Sequence, residues 1–144
     1  MADKQNIKGQ CLCGGVTVSA VIDAPTLGAC HCTMCHRQNS GPYISIMTYQ
    51  SATEATGSIK AYRSSEWAER AFCSECGSTL WYSTLHDGAR YLSAGLFDDA
   101  GGAPLTLEYY SDNCPQGYSL AGDHKRMTEA ETIAFFTAEM EGGA

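Results

Sequence analysis

The sequence predicts a mainly β fold closed by one C-terminal helix. Three observations carry this. Short strand-like runs alternate with Gly, Pro, Asp and Ser from just after residue 6 to about residue 110. Only residues 128–140 combine a helix-opening signal with apolar residues at helical spacing. Seven of the eight cysteines fall into three tight clusters, which suits small sheets stapled by metal.

In chain order, residues 1–6 are expected to fray. Residues 15–22 (GVTVSAVI) and 43–49 (YISIMTY) alternate polar with apolar and read as strands. Residues 33–38 are predicted to form a single helical turn between them. Residues 58–62 follow Gly57 as a further strand. Residues 67–73 lead into the third cysteine cluster and 78–82 lead out of it. Residues 91–97 and 105–110 complete seven or eight strands. Residues 98–104 (DDAGGAP) are a turn, and 111–126 are a polar loop expected to cover the site. In the final helix, Thr128 and Glu131 form a capping box. Ile133, Phe136 and Met140 then share one face, which is expected to pack on the core.

A chain of 144 residues is expected to be one domain, with a core over about 8–118 and the helix at about 128–140. The net charge of −7 and nine scattered basic residues argue against nucleic acid as a partner. No segment approaches the ~20 apolar residues of a membrane span. Residues 1–10 lack the apolar stretch of a signal peptide, so a cytoplasmic location is expected. In a reducing compartment, clustered cysteines are metal ligands before they are disulfides.

Cys73-x-x-Cys76-Gly77 has the spacing of a zinc knuckle, and Cys11-x-Cys13-Gly14 is the matching half-site. Four thiolates from these pairs close a tetrahedral structural zinc. Cys30-x-Cys32-x-x-Cys35 offers three. Residues i and i+2 of an extended segment point the same way, and a helical turn after Cys32 brings Cys35 back. Three thiolates leave an open corner, the arrangement of a catalytic zinc. That corner takes water, a substrate sulfur or a side chain. The competing reading is a second structural zinc closed by His31 or Cys114, and an Fe–S cluster is a more remote one. His31 lies between two metal-facing cysteines and is expected to point away. Cys114, beside Pro115, is expected to be an unligated loop thiol. His31 and His36 are the nearest candidate proton donors, though each also reads as a surface histidine. Arg37 and Arg70 suit a substrate carboxylate but also read as solvated charges.

At CLCGG, CHCTMCHRQNSG and FCSECGSTLW the chain resembles the glutathione-dependent formaldehyde-activating enzyme family, which includes centromere protein V. The stretch GLFDDAGGAP followed by EYYSD looks like the family's ending, so the resemblance covers roughly residues 8–118. It implies a β-tent fold of small antiparallel sheets stapled by two zinc ions. It further implies that Cys11, Cys13, Cys73 and Cys76 hold the structural zinc, and Cys30, Cys32 and Cys35 the labile, catalytic one. The implied activity is that of a zinc-dependent carbon–sulfur lyase like S-(hydroxymethyl)glutathione synthase. Its partners are a glutathione-type thiol and a small aldehyde. After Asp112 the chain reads Asn113-Cys114-Pro115, where the family tends to carry an aromatic residue. The basic tail of a chromatin-binding relative is absent. Two alternatives stand beside this reading: a noncatalytic zinc module for a protein or small thiol, and a same-fold enzyme with a non-glutathione substrate. Aromatic residues in short strands hint at a homodimer.

Overall fold

The computed structural model describes residues 4–142, with side chains described as far as residue 139. The fold is mainly β with a C-terminal helix, as the sequence predicts. The chain forms two compact units, one of residues 1–26 and 45–104, the other of 27–44 and 105–144. No helix among the described residues is long and apolar enough to cross a membrane.

In the first unit, β1 (Lys4–Gln10), β2 (Thr17–Asp23) and β5 (Thr53–Thr56) form an antiparallel ladder in the order β1-β2-β5. A second ladder runs β4-β9-β8-β7-β6. Its strands are β4 (Tyr43–Tyr49, in this unit from Ser45), β6 (Ile59–Arg63), β7 (Ala68–Cys73), β8 (Thr79–Thr84) and β9 (Ala89–Ser93). Val16, Val18, Ile46, Leu80 and Leu92 are fully buried here. Alternation places them: in β2, Val18, Ala20 and Ile22 are buried while their neighbours are not.

β1 corrects the expectation of a frayed terminus over residues 1–6. Met1, Ala2 and Asp3 lie outside the described residues, but every residue from Lys4 to Gln10 pairs with β2. Ile7 is its one buried side chain. Backbone pairing to an alternating partner makes this strand, so its own sequence carries almost no hydrophobic signal.

Gly57 precedes β6 with φ 118°, a conformation that favours glycine. A Cβ there would lie 2.2 Å from the Gly15 carbonyl oxygen and 2.9 Å from Val16 Cα. Both obstacles are backbone and cannot turn aside. Gly57→Ala is therefore expected to cost about 2–3 kcal/mol, read from urea unfolding midpoints.

The turn between β8 and β9 is held by Asp87, whose Oδ1 accepts from the Thr84 hydroxyl and from the Ala89 N–H at 3.0 Å. Burial pushes this carboxyl up, but the two hydrogen bonds outweigh it and hold it below its ordinary value. An unfolded Asp titrates near about 3.9. The contribution is therefore full above that pH and is lost as pH falls through the lower folded value. Asp87→Asn is expected to flatten the acid limb of a stability-versus-pH curve below about pH 4, measured by urea titration.

In the second unit, β3 (Leu27–Cys30) and β11 (Lys125–Arg126) both pair in parallel with β10 (Leu105–Tyr109). Helix α1 (Thr33–Asn39) follows β3, and helix α2 (Glu129–Gly142) ends the chain. The capping box forms: Glu131 N–H donates to Thr128 Oγ1 at 3.2 Å, and Thr128 N–H to Glu131 Oε1 at 3.0 Å. The expected apolar stripe is only partly right. Phe136 stacks on Tyr109, centroids 5.6 Å apart, but Ile133 is 51% exposed. Met140's side chain lies outside the described residues. The fully buried residue is Thr132, four positions before Phe136 on the same face. Its hydroxyl donates to the Thr128 carbonyl at 2.8 Å and accepts the Tyr110 N–H at 3.1 Å. Tyr110 needs that anchor, because its φ of 55° is strained for a bulky residue.

Candidate metal centres

None of the eight cysteines forms a disulfide, and seven gather into two groups. In each group the sulfurs lie within 4.8 Å of one another.

The first group, Cys11, Cys13, Cys73 and Cys76, lies wholly in the first unit. Cys11 and Cys13 occupy the turn between β1 and β2. Cys73 ends β7, and Cys76 follows in the turn before β8. Both turns are built alike. Gly14 N–H donates to the Cys11 carbonyl at 3.0 Å, and Gly77 N–H to the Cys73 carbonyl at 2.8 Å. Gly14 and Gly77 share φ 78°. This left-handed residue lets each chain turn back with amides facing sulfur. Val16 N–H reaches Cys11 Sγ at 3.2 Å, Gly15 N–H reaches Cys13 Sγ at 3.4 Å, and Cys76 N–H reaches Cys73 Sγ at 3.5 Å.

The spacing fits a metal. Cys11 and Cys13 sulfurs are 3.6 Å apart, and Cys13 and Cys73 sulfurs 3.8 Å. A tetrahedron with metal–sulfur bonds of about 2.3 Å has edges of about 3.8 Å. Electrostatics agrees. Hydrogen bonds from the Ser78 hydroxyl and amide pull the Cys76 thiol down to about 5. At Cys13 the Gly15 amide pulls down, but the sulfurs of Cys11 and Cys76 push the thiol up to about 12. Thiolates packed this closely resist joint ionisation unless a cation sits among them.

The second group, Cys30, Cys32 and Cys35, lies wholly in the second unit. Cys30 ends β3, and Cys32 is the N-cap of α1 with extended backbone (φ −63°, ψ 157°). Its sulfur accepts the Cys35 N–H at 3.4 Å. Cys35, on the first turn of α1, is buried. The helical turn thus returns the third sulfur to the first two, as its spacing predicts. The sulfurs of Cys32 and Cys35, together with burial, push the Cys30 thiol far up. Among the described residues, no fourth Cys, His, Asp or Glu joins this group.

The two proposed fourth ligands are engaged elsewhere. Cys114 Sγ donates to the Tyr118 carbonyl at 3.3 Å. His31 does not join the three sulfurs, and it is not a surface residue: it is 0% exposed. Its Nε2 lies 2.7 Å from Glu108 Oε1 and its Nδ1 lies 3.4 Å from His36 Nε2. The other Glu108 oxygen meets His124 Nε2, and Arg126 Nε at 3.0 Å. Burial pushes the Glu108 carboxyl up, but the hydrogen bonds of His124 and His31 outweigh it and hold it low. Sequence reasoning misses Glu108 and His124. Glu108 stands between two apolar strand residues with ordinary alternation, and His124 lies in a polar loop, so neither carries a motif.

Of the remaining candidates, His36 is half-buried and Arg37 is exposed on α1. Arg70 is buried in the first unit, its guanidinium 4.9 Å from the Tyr82 ring centroid. It packs on an aromatic ring and is not a solvated surface charge.

The comparisons with known proteins agree with this architecture. Residues 6–113 match the family described as glutathione-dependent formaldehyde-activating enzyme. The chain is 29% identical over 128 residues to a protein of Schizosaccharomyces pombe (strain 972) called an uncharacterized lyase, covering 88% of this chain and 93% of that one. A crystal structure of a Rhodobacter sphaeroides protein superposes with a TM-score of 0.54 at 20% identity, covering 69% of this chain and all of that one. At that identity the likeness shows the fold alone.

Proposed function

This chain belongs to the glutathione-dependent formaldehyde-activating enzyme family, and on that premise we propose that it is a zinc-dependent carbon–sulfur lyase. It joins a glutathione-type thiol to a small aldehyde and splits the adduct in reverse. The observation that carries this reading is the group of three sulfurs that no fourth Cys, His, Asp or Glu joins among the described residues. Four cysteines make a closed centre, whereas three make one that admits a further sulfur.

Cys11, Cys13, Cys73 and Cys76 hold a structural zinc in this reading. Cys30, Cys32 and Cys35 hold the second, and a soft thiolate set suits a metal that takes a sulfur substrate. When bound there, zinc supplies a Lewis-acid corner that favours a deprotonated thiol. The end of β3 and the N-terminal turn of α1 hold the three sulfurs that would bind the zinc. In the forward reaction the substrate sulfur forms a bond to the carbonyl carbon. The carbonyl π bond opens, and the thiol's proton ends on the new hydroxyl. Holding the two reactants together is the main gain, because the uncatalysed addition is already facile. The His31 ring is buried and engaged at both nitrogens. His36 is the half-buried histidine beside the site.

Native mass spectrometry of the zinc-loaded chain, with and without glutathione, tests the site. Two zinc ions and a glutathione adduct that is lost with the weaker zinc are expected. Product formation from glutathione and formaldehyde tests the activity. A rate no faster than the spontaneous one would remove the named substrates. Two zinc ions of equal tenacity, with no thiol adduct, would favour a noncatalytic zinc module.

A further inference from the structure

We propose that Glu108 is a positioning residue for the three-cysteine site, acting through the buried ring of His31. This rests on the reading of that site as the reactive one, and it assigns a function to a cluster which that reading does not use.

The observations are geometric. Glu108 is 3% exposed on β10 and faces three partners. One oxygen takes His31 and the other takes His124 and Arg126. A buried carboxylate costs stability unless it is paired, so this group is held for what it does to its neighbours. The neighbour that matters is His31, because its backbone is the link between Cys30 and Cys32. That link is held at two points: His31 N–H donates to the Tyr109 carbonyl at 3.0 Å, and the ring is held by Glu108. With backbone and ring both held, the residue cannot rotate about its backbone, and the cysteines on either side of it keep their directions.

The same network sets the tautomers. An ionised carboxylate only accepts hydrogen bonds. His31 Nε2 must therefore carry the hydrogen donated to Glu108. In its neutral form His31 Nδ1 is then an acceptor, and it takes the hydrogen of His36 Nε2. His36 follows directly after Cys35 on α1. A single carboxylate thus orders a chain, Glu108 to His31 to His36, that reaches a sequence neighbour of each of the three cysteines. His124 and Arg126 fill the far oxygen and prevent the carboxylate from swinging off His31.

The test uses the full chain. Long-range proton–nitrogen NMR of the zinc-loaded wild type is expected to show His31, His36 and His124 each with hydrogen on Nε2. His31 with hydrogen on Nδ1 would overturn the assignment. The second test replaces zinc with cobalt(II), whose visible bands report ligand geometry, in Glu108→Gln and Glu108→Met. Gln offers one acceptor oxygen in place of two, and Met offers none. The expected result is a shift in the bands of the three-cysteine site, unchanged bands from the four-cysteine site, and about 10-fold weaker zinc binding at the former by chelator competition. Glu131→Ala is the control, since it removes the α2 capping box in the same unit without touching Glu108 or the Tyr109–Tyr110 peptide. Unshifted bands and unchanged zinc affinity in both Glu108 variants would overturn the proposal, as would an equal shift in Glu131→Ala. If the wild type makes no thiol–aldehyde adduct, the substrate reading fails while the spectra still decide the role of Glu108.

Discussion

Replacing both Cys73 and Cys76 by serine, which leaves only the thiolates of Cys11 and Cys13, is expected to remove one metal ion and more than about 4 kcal/mol of stability. Cys13 and Cys73 are 60 residues apart, and their sulfurs are 3.8 Å apart. A cross-link closing a loop of that length restricts the unfolded chain by about 4 kcal/mol in the chain-entropy picture. A metal shared by four thiolates closes the same loop and adds its own binding energy. Cys73 is also buried, at 1% exposed, so a hydroxyl in its place gains no water in return. Native mass spectrometry should show one zinc fewer. Urea unfolding followed by circular dichroism should show a transition moved to much lower denaturant, or none. A stability loss under about 1 kcal/mol would mean that the four sulfurs do not staple the two turns.

Cys32→Ser is expected to show the opposite balance, with activity lost and fold kept. Cys32 is both a candidate ligand and the N-cap of α1. Serine is among the best N-caps, so the Cys35 N–H keeps an acceptor. What the substitution removes is a soft ligand. The turnover of glutathione and formaldehyde above the spontaneous rate is expected to fall more than about 100-fold, since loss of alignment alone costs that much. The urea midpoint should change by no more than about 1 kcal/mol. A variant that keeps full activity with only one zinc ion would show that the reaction runs elsewhere.

The two cysteine groups were legible in the sequence because their information is local. CxC, CxCxxC and CxxCG each place their sulfurs within one turn, and the glycines after Cys13 and Cys76 announce the backbone they adopt. The helix start at Thr128 was legible for the same reason. β1 was not, because its strand character comes from its partner and only Ile7 is buried. The inward face of α2 was misjudged by one residue. Thr132 is buried for its hydroxyl, which holds the Tyr110 amide, and periodicity of apolar residues cannot register that. Glu108 and His31 are 77 residues apart. Nothing in either neighbourhood marks the other, and the buried ring of His31 reads as an ordinary histidine until β10 is laid beside β3.

That same distance orders the birth of the protein. A chain leaving the ribosome displays Cys30, Cys32 and Cys35 long before β10, the parallel partner of β3, has been made. Until Glu108 and Tyr109 emerge, the His31 segment has neither of its two anchors. The nascent three-cysteine segment therefore meets metal and oxidant as a loose peptide, and only late in synthesis as a shaped site.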